Sequence, residues 1–329
     1  VGPANTFMGR SGQIFTVAWG QGFFWAQPQD LALESLTVYL DPSIEVTPYG
    51  VLDWDTGLRP DYPWNPDPYK NLQAFVYGHA GGAHVNASNR VLKTRINSSS
   101  WGFDDPQTAT GTLSWSNTND PDDERGSATS GDSGGPTLIP WTDPSGEKQL
   151  TVVSVHVVPN ADVLLSRPPT LDNMNSFLIQ SGYAVRMLRD ATTFWNGAGT
   201  GFADAAGWTA AAVPTNKDYL GFDPAQATSR AIDLGGATAT ARGLIFHPSL
   251  ATEAFTFGNG TLDIDRGGIV NYGNAIPLFA SDLAIRLTNH QYWDARKGQI
   301  AVNGAVNLNG RLLIVQGDFD TTIAGGVTD

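Results

Sequence analysis

The sequence predicts an all-β protein, and three features of its 329 residues support that prediction. Glycine (37 residues) and proline (20 residues) interrupt the chain at short intervals, which is typical of short strands joined by turns. Apolar residues make up 41% of the chain and charged residues only 16%, which is enough apolar surface for a core. Most apolar runs alternate with polar residues, as expected of strands with one buried face. The length suggests two domains, because one domain usually has roughly 100–200 residues.

The first strand-like runs cover residues 13–19 and 31–40, and a loop rich in Pro, Asp and Trp follows from Asp41 to Lys70. Further strand-like runs lie at Gln73–Gly78, Arg90–Ile96, Gly111–Trp115, Pro136–Pro140 and Leu150–Val158. The polar segment from Ser116 to Ser130 separates two of these runs. This order predicts a β-rich first domain.

Residues 184–195 have helical spacing, since Val185, Leu188 and Ala191 or Thr192 recur at i, i+3 and i+7. Asn196-Gly197 is a suitable helix end, and the small residues that follow resemble a linker. We therefore predict a helix there and a domain boundary that gives domains 1–197 and 198–329.

The second domain has short strands separated by Gly, Asn or Asp, with sparse single charges. A β-solenoid needs this pattern, because its stacked turns bury alternate apolar side chains and bend at each corner. The pattern alone leaves a β-sandwich as an alternative. The residues predicted to face inward are Leu262, Ile264, Leu283, Ile285, Val302, Val306 and Leu313.

The charge of the chain excludes some functions. A formal net charge of −13 repels nucleic acid, so no nucleic-acid partner is expected. No apolar run reaches the ~18 residues that a membrane-spanning helix requires. The absence of cysteine excludes disulfides and thiolate metal sites, and we read the acidic cluster Pro121–Glu124 as a solvated loop. We therefore predict neither a metal nor a cofactor.

The most informative motif is Gly131-Asp132-Ser133-Gly134-Gly135-Pro136. A nucleophilic serine needs an exposed hydroxyl and nearby backbone N–H donors for an oxyanion. Glycines on both sides of Ser133 let the backbone turn tightly enough to provide both. The motif therefore predicts that Ser133 is a catalytic nucleophile.

This motif resembles that of the trypsin and chymotrypsin family of serine endopeptidases. The resemblance implies a double β-barrel, an oxyanion hole formed by the N–H groups of Gly131 and Ser133, and a structural role for Asp132. Asp30-Leu31-Ala32-Leu33 resembles the strand that opens with the family's orienting aspartate. Asp30 would then hold the catalytic imidazole in its productive tautomer.

The family's chain order places the general-base histidine before this aspartate, and residues 1–29 contain no histidine. The resemblance therefore implies that the first barrel lacks its N-terminal strands and that a missing N-terminal segment carries the base. His79 and His84 follow Asp30 and are interpreted as surface or packing residues.

The resemblance also suggests substrate contacts. Ser154, Val155 and His156 lie on a run similar to the strand that pairs with the extended substrate, and Ser127 and Ser130 correspond to the pocket that receives the side chain at the cleavage site. No carboxylate lies in that pocket sequence, so a neutral side chain is expected there.

Residues 205–329 resemble the β-strand repeats of bacterial autotransporter passengers. Together the two resemblances imply a secreted or surface-bound bacterial serine endopeptidase that cleaves peptides and is carried on a β-solenoid stem. Two alternatives remain at this point: a catalytically silent surface adhesin or structural protein, and a self-processing domain.

Overall fold

The structure is a computed structural model, and its described residues form two compact units that are mostly β with very little helix. The first unit groups Val1–Val51, Leu58–Pro140 and Leu150–Ser181, and the second groups Leu52–Gly57, Trp141–Gln149 and Gly182–Asp329. The described residues are 5–8, 14–17, 24–26, 31–33, 50–53, 73–79, 89–101, 111–115, 136–158, 161–166, 168–249 and 254–329.

The first unit begins with two small hairpins. Strand β1 (Asn5–Met8) pairs antiparallel with β2 (Ile14–Val17), and β3 (Phe24–Ala26) pairs antiparallel with β4 (Leu31–Leu33). The strands that follow are β5 (Val51–Leu52), β6 (Gln73–His79), β7 (Asn89–Trp101), β8 (Gly111–Trp115), β9 (Pro136–Thr142), β10 (Lys148–Val158) and β11 (Ala161–Leu164). Each predicted strand in this part of the chain therefore has a counterpart in the structure.

Six of the described strands close on themselves in the order β6-β7-β8-β11-β10-β9, with β9 again beside β6. The pairs β6–β7, β7–β8, β8–β11, β10–β11 and β6–β9 are antiparallel. Strand β5 adds a parallel pairing between Val51 and Val152 of β10. Apolar side chains on these strands are buried, namely Ala74, Leu138, Ile139, Val153 and Leu164. Because the six strands close into a ring, each of them has a pairing partner on both sides.

The predicted helix at residues 184–195 is wrong. Helix α1 is Pro168–Leu178, and residues 184–195 instead contain β12 (Met187–Leu188) and β13 (Thr193–Phe194). Their backbone pairs with a neighbouring strand, since Thr192 N donates to Tyr219 O (2.8 Å) and Trp195 N to Gly221 O (3.0 Å). Proline suits the first turn of α1, because the N–H that it lacks would have no partner there.

Residues 193–328 form a β-solenoid of about six turns, which we call the stem. After β13 its strands are β14 (Tyr219–Phe222), β15 (Ala231–Asp233), β16 (Thr238–Phe246), β17 (Thr256–Gly258), β18 (Gly260–Asn271), β19 (Leu278–Phe279), β20 (Leu283–Leu287), β21 (Gln291–Asp294), β22 (Ile300–Val302), β23 (Val306–Asn307), β24 (Leu313–Gln316), β25 (Thr321–Ile323) and β26 (Val327–Thr328).

The described strands of the stem pair in parallel, and these pairings join each turn to the next. One series runs β13-β14-β16-β18-β21-β24, a second runs β16-β18-β20-β23-β26, and a third runs β15-β17-β19-β22-β25. The long strands β16 and β18 take part in both of the first two series. Thr238, Thr261 and Ala284 occupy equivalent places in successive turns, 23 residues apart (261 − 238 and 284 − 261).

The side chains between these sheets form the core of the stem. Of the residues predicted to face inward, six are buried, and Leu313 is partly buried against the same core. Aromatic rings stack between successive turns, with centroids 5.0 Å apart for Phe222–Phe246 and 4.9 Å apart for Phe257–Phe279. The solenoid prediction is therefore confirmed over the sandwich. Strand β13 precedes the boundary predicted at residues 197–198, and that boundary stays a prediction.

The bend within β18 requires a glycine. Gly268 has a φ of +61°, and a Cβ at this position would lie 1.9 Å from the carbonyl oxygen of Tyr292 in the next turn. Any other residue is therefore excluded here, because its Cβ would be strained at this φ and would clash with Tyr292. This glycine lets β18 contribute to two of the three series of strands.

Candidate functional site

The residues predicted to carry catalysis lie outside the described residues. These are Ser133, Gly131 and Asp30, together with Ser127 and Ser130 of the predicted pocket. The structure does describe the strands that flank them in the chain. Strand β9 begins at Pro136, the last residue of the serine motif, and β4 begins at Leu31, directly after Asp30.

The strands β9 and β10 form a hairpin around a turn at Asp143–Glu147. Asp143 N donates to Glu147 O (2.9 Å), and Asp143 Oδ1 accepts hydrogen bonds from Ser145 N (2.8 Å) and Glu147 N (3.0 Å). Farther along the hairpin, Thr151 Oγ1 donates to Ile139 O (3.0 Å). The hairpin therefore brings the start of β9 beside the later part of β10.

The later part of β10 contains Ser154, Val155 and His156, the predicted substrate-contacting residues. They pair in register with Leu164, Val163 and Asp162 of β11, and a bulge follows between His156 and Val158. Ser154 is fully buried and Val155 is partly exposed. Ser154 therefore contributes to packing, whereas Val155 presents accessible surface on this strand.

Two further histidines are described in the stem. Nδ1 of His290 accepts a hydrogen bond from Leu312 N (3.0 Å). His247 packs edge-on against Phe194, with ring centroids 5.1 Å apart, and its Nε2 is buried with no hydrogen-bond partner among the described residues. Burial lowers the pKa of His247 below its usual value, although Asp223 and Asp190 oppose this shift. His79 ends β6, and His84 lies outside the described residues.

An ionic cluster that the sequence did not indicate lies within the second unit. Asp53 accepts hydrogen bonds from Tyr219 Oη (2.7 Å) and from Arg266 Nε (3.2 Å) and Nη2 (3.1 Å). Arg242 Nη1 lies 3.5 Å from Asp53 Oδ2, but Arg242 Nη1 and Nε form no hydrogen bond with any described residue. Arg189 Nη1 donates to the backbone oxygen of Asp53 (2.8 Å). Two guanidinium groups thus share one carboxylate.

Burial perturbs the ionisation of this cluster. Burial alone opposes the charge on Asp53, but Arg266 and Arg242 outweigh that effect and lower the pKa of Asp53. Burial and the Asp53 charge together raise the pKa of Tyr219 well above its usual value. Strongly shifted pKa values often mark functional sites, but these four side chains are almost wholly buried. We therefore interpret the cluster as structural.

A polar recess of about 400 Å³ also lies in the second unit, lined by Glu147, Asp294, Arg296, Lys297, Gln316, Gly317 and Asp318. Arg296 Nη2 lies 3.5 Å from Glu147 Oε2, and Arg296 Nε lies 3.7 Å from Asp143 Oδ2. Lys297 Nζ lies 3.9 Å from Glu147 Oε2. Both basic side chains of this recess, Arg296 and Lys297, therefore lie close to carboxylates.

In the part of the chain that the structure describes, no group of three or more Asp, Glu, His or Cys side chains is arranged to hold a metal ion. The described helices are also too short or too polar to cross a membrane. Comparison of the chain with protein families, with curated proteins and with solved structures found no match.

Proposed function

We propose that the chain is an extracellular bacterial serine endopeptidase in which Ser133 is the nucleophile. The observation that carries the proposal is the hairpin β9–β10, because β9 starts at the last residue of the serine motif and lies beside the predicted substrate strand. The closed antiparallel ring of strands supports it, since trypsin-like enzymes are built from antiparallel barrels. We also propose the second β-barrel that the resemblance to these enzymes implies.

The proposed reaction is acyl transfer. The hydroxyl of Ser133 attacks a peptide carbonyl, the N–H groups of Gly131 and Ser133 stabilise the oxyanion, and water then releases the acyl group. Asp30 orients the imidazole that removes the hydroxyl proton. Residues 1–29 contain no histidine, so the proposed base is supplied from outside this part of the chain.

In this proposal the stem presents the protease at a distance from a cell surface. Parallel ladders and a continuous apolar core join its turns, so few described backbone segments are free to enter the cleft of another protease. The surface location rests on the resemblance of residues 205–329 to autotransporter passengers.

The test is covalent labelling of the purified chain with a fluorophosphonate, followed by peptide mass spectrometry. We expect one adduct, on Ser133, whose rate of formation rises when free imidazole replaces the missing base. Ser133→Ala should remove the adduct, whereas Ser116→Ala, in the preceding polar segment, should keep it. Absence of an adduct on Ser133 at high imidazole concentration contradicts the proposal.

A second candidate is a catalytically silent surface protein that keeps a protease-like fold. The observation that favours it is the lack of histidine in residues 1–29. The same labelling experiment separates the two candidates, because a silent protein gives no adduct with or without imidazole. An adduct without cleavage of added peptides would instead favour self-processing.

A further inference from the structure

The three series of strands in the stem finish together at one end, with β24, β25 and β26. Strand β24 pairs with β21, β25 with β22 and β26 with β23, and all three pairings are parallel. No strand among the described residues pairs with the other side of β24, β25 or β26. We call these three strands the open end of the stem. Each of them therefore presents a free sheet edge.

The open end also leaves core positions uncovered. In the parallel register Val315 lies beside Trp293 and Val327 beside Val306, and both Trp293 and Val306 are fully buried in the core. Partners in register point to the same face of a sheet, so Val315 and Val327 also point toward the core. These two valines are nevertheless 49% and 51% exposed. The core of the stem is therefore accessible to a partner at this end.

The sequence of the open end lacks two of the features that keep edge strands from pairing with another chain. Natural edge strands are often protected by Lys or Pro. Residues 306–329 contain neither, and β24 reads Leu-Ile-Val-Gln, without a charge. A short apolar strand with a free edge suits the addition of a further strand.

The charges on either side of β24 indicate how a second strand would lie. Arg311 precedes β24 and Asp318 follows it, and both residues are exposed. When two identical strands pair antiparallel, the start of each faces the end of the other, so Arg311 of each copy approaches Asp318 of the second copy. A parallel pair would place arginine beside arginine and aspartate beside aspartate. Charge complementarity therefore favours two copies in an antiparallel arrangement.

We infer that the open end of the stem is a dimerisation surface, on which a second copy of this chain pairs about a twofold axis. Strand β24 lies beside β24 of the second copy, with Leu313 opposite Val315 so that both side chains face the joined cores. The same axis places β25 of each copy beside β26 of the other. This pairing covers both open ends and leaves none for a third copy. The inference does not depend on the proposed function.

The experiment is sedimentation velocity of the full 329-residue chain over a wide range of protein concentrations. We expect a reversible equilibrium between monomer and dimer. Val315→Arg should raise the dissociation constant of the dimer about tenfold or more, because each dimer would then bury two guanidinium groups without carboxylate partners. The matched control is Val213→Arg, since Val213 is also exposed (44%) but lies between β13 and β14, outside the open end. This control should leave the constant unchanged.

An exchange of charges tests the antiparallel orientation. Arg311→Asp should raise the dissociation constant about fivefold, because the new carboxylate meets Asp318 of the second copy. Asp318→Arg should have a similar effect, and the double variant Arg311→Asp/Asp318→Arg should return the constant close to its original value. All of these positions are exposed, so each variant should unfold at the same guanidinium concentration as the unmodified monomer.

A chain that stays monomeric at every concentration would overturn the inference, and so would a dimer that Val315→Arg leaves equally tight. Assemblies that keep growing with concentration would also overturn it, because they need a surface that the twofold pairing does not use. If the double variant dimerises no better than the single variants, the two copies do not meet antiparallel. If Val315→Arg fails to fold, the charge exchange decides, and a dimer unaffected by Arg311→Asp overturns the inference.

Discussion

The substitution Asp53→Asn should strongly destabilise the second unit. It removes the only carboxylate that the described residues place between Arg266 and Arg242, and leaves two buried guanidinium groups facing a neutral amide. Breaking a buried ion pair by removing one partner typically costs about 3–5 kcal/mol. Since the amide still accepts one of the hydrogen bonds that Asp53 accepts, we expect a loss of about 3 kcal/mol.

The assay is guanidinium-induced unfolding at neutral pH, followed by the fluorescence of the buried Trp195, Trp208 and Trp293. Asp320→Asn removes an exposed carboxylate from the same unit and should change the free energy of unfolding by less than about 0.5 kcal/mol. Arg242→Met should also cost little, about 1 kcal/mol or less, because it relieves the excess positive charge. Equal losses in Asp53→Asn and Asp320→Asn would refute the reasoning.

Three further outcomes test the packing of the stem. Phe257→Ala should cost about 3–5 kcal/mol in the same unfolding assay, because the ring is fully buried within an aromatic stack. Gly268→Ala should lower the free energy of unfolding by about 3 kcal/mol or more, since the new Cβ meets Tyr292 O. The Cβ of Gly235→Ala has free space, so this substitution should cost only about 1 kcal/mol of backbone strain. Similar losses in the two variants would contradict this expectation. Burial lowers the pKa of His247 in the folded state, so its contribution is present above the unfolded pKa of about 6.5 and is lost as pH falls through the lowered folded value. The melting temperature should therefore decrease from pH 7.5 to 5, less steeply in His247→Gln; identical slopes would refute this.

The alternation of apolar and polar residues was sufficient to predict most strands. It predicts that Leu262 and Ile264 of β18 face inward, and both are buried in the structure. Successive side chains of a strand point to opposite faces, so burying one face decides which residues face the core. The same reasoning failed at residues 184–195. The spacing of their apolar residues fits a helix, but their backbone groups pair with the next turn of the stem. The local sequence does not indicate pairing with a strand that lies far along the chain.

The ionic cluster could not be predicted for a related reason. Asp53 lies 166 residues from Tyr219 and 213 residues from Arg266 in sequence, so nothing local relates their charges. The candidate site shows the opposite case. The prediction that Ser133 is its nucleophile came from a six-residue motif, because a nucleophilic serine places requirements on its immediate neighbours in sequence. The structure adds the strands on either side of that motif.

The parallel pairing of the stem also bears on how such a chain can change its length. Equivalent residues such as Thr238, Thr261 and Ala284 stack directly above one another, so a gene segment of one full turn can be copied or lost without disturbing the order of the remaining turns. Each such event would lengthen or shorten the stem by about 4.8 Å, the spacing of neighbouring strands. Inheritance in whole turns would let the reach of the protein vary in small, equal steps while its first unit stays the same.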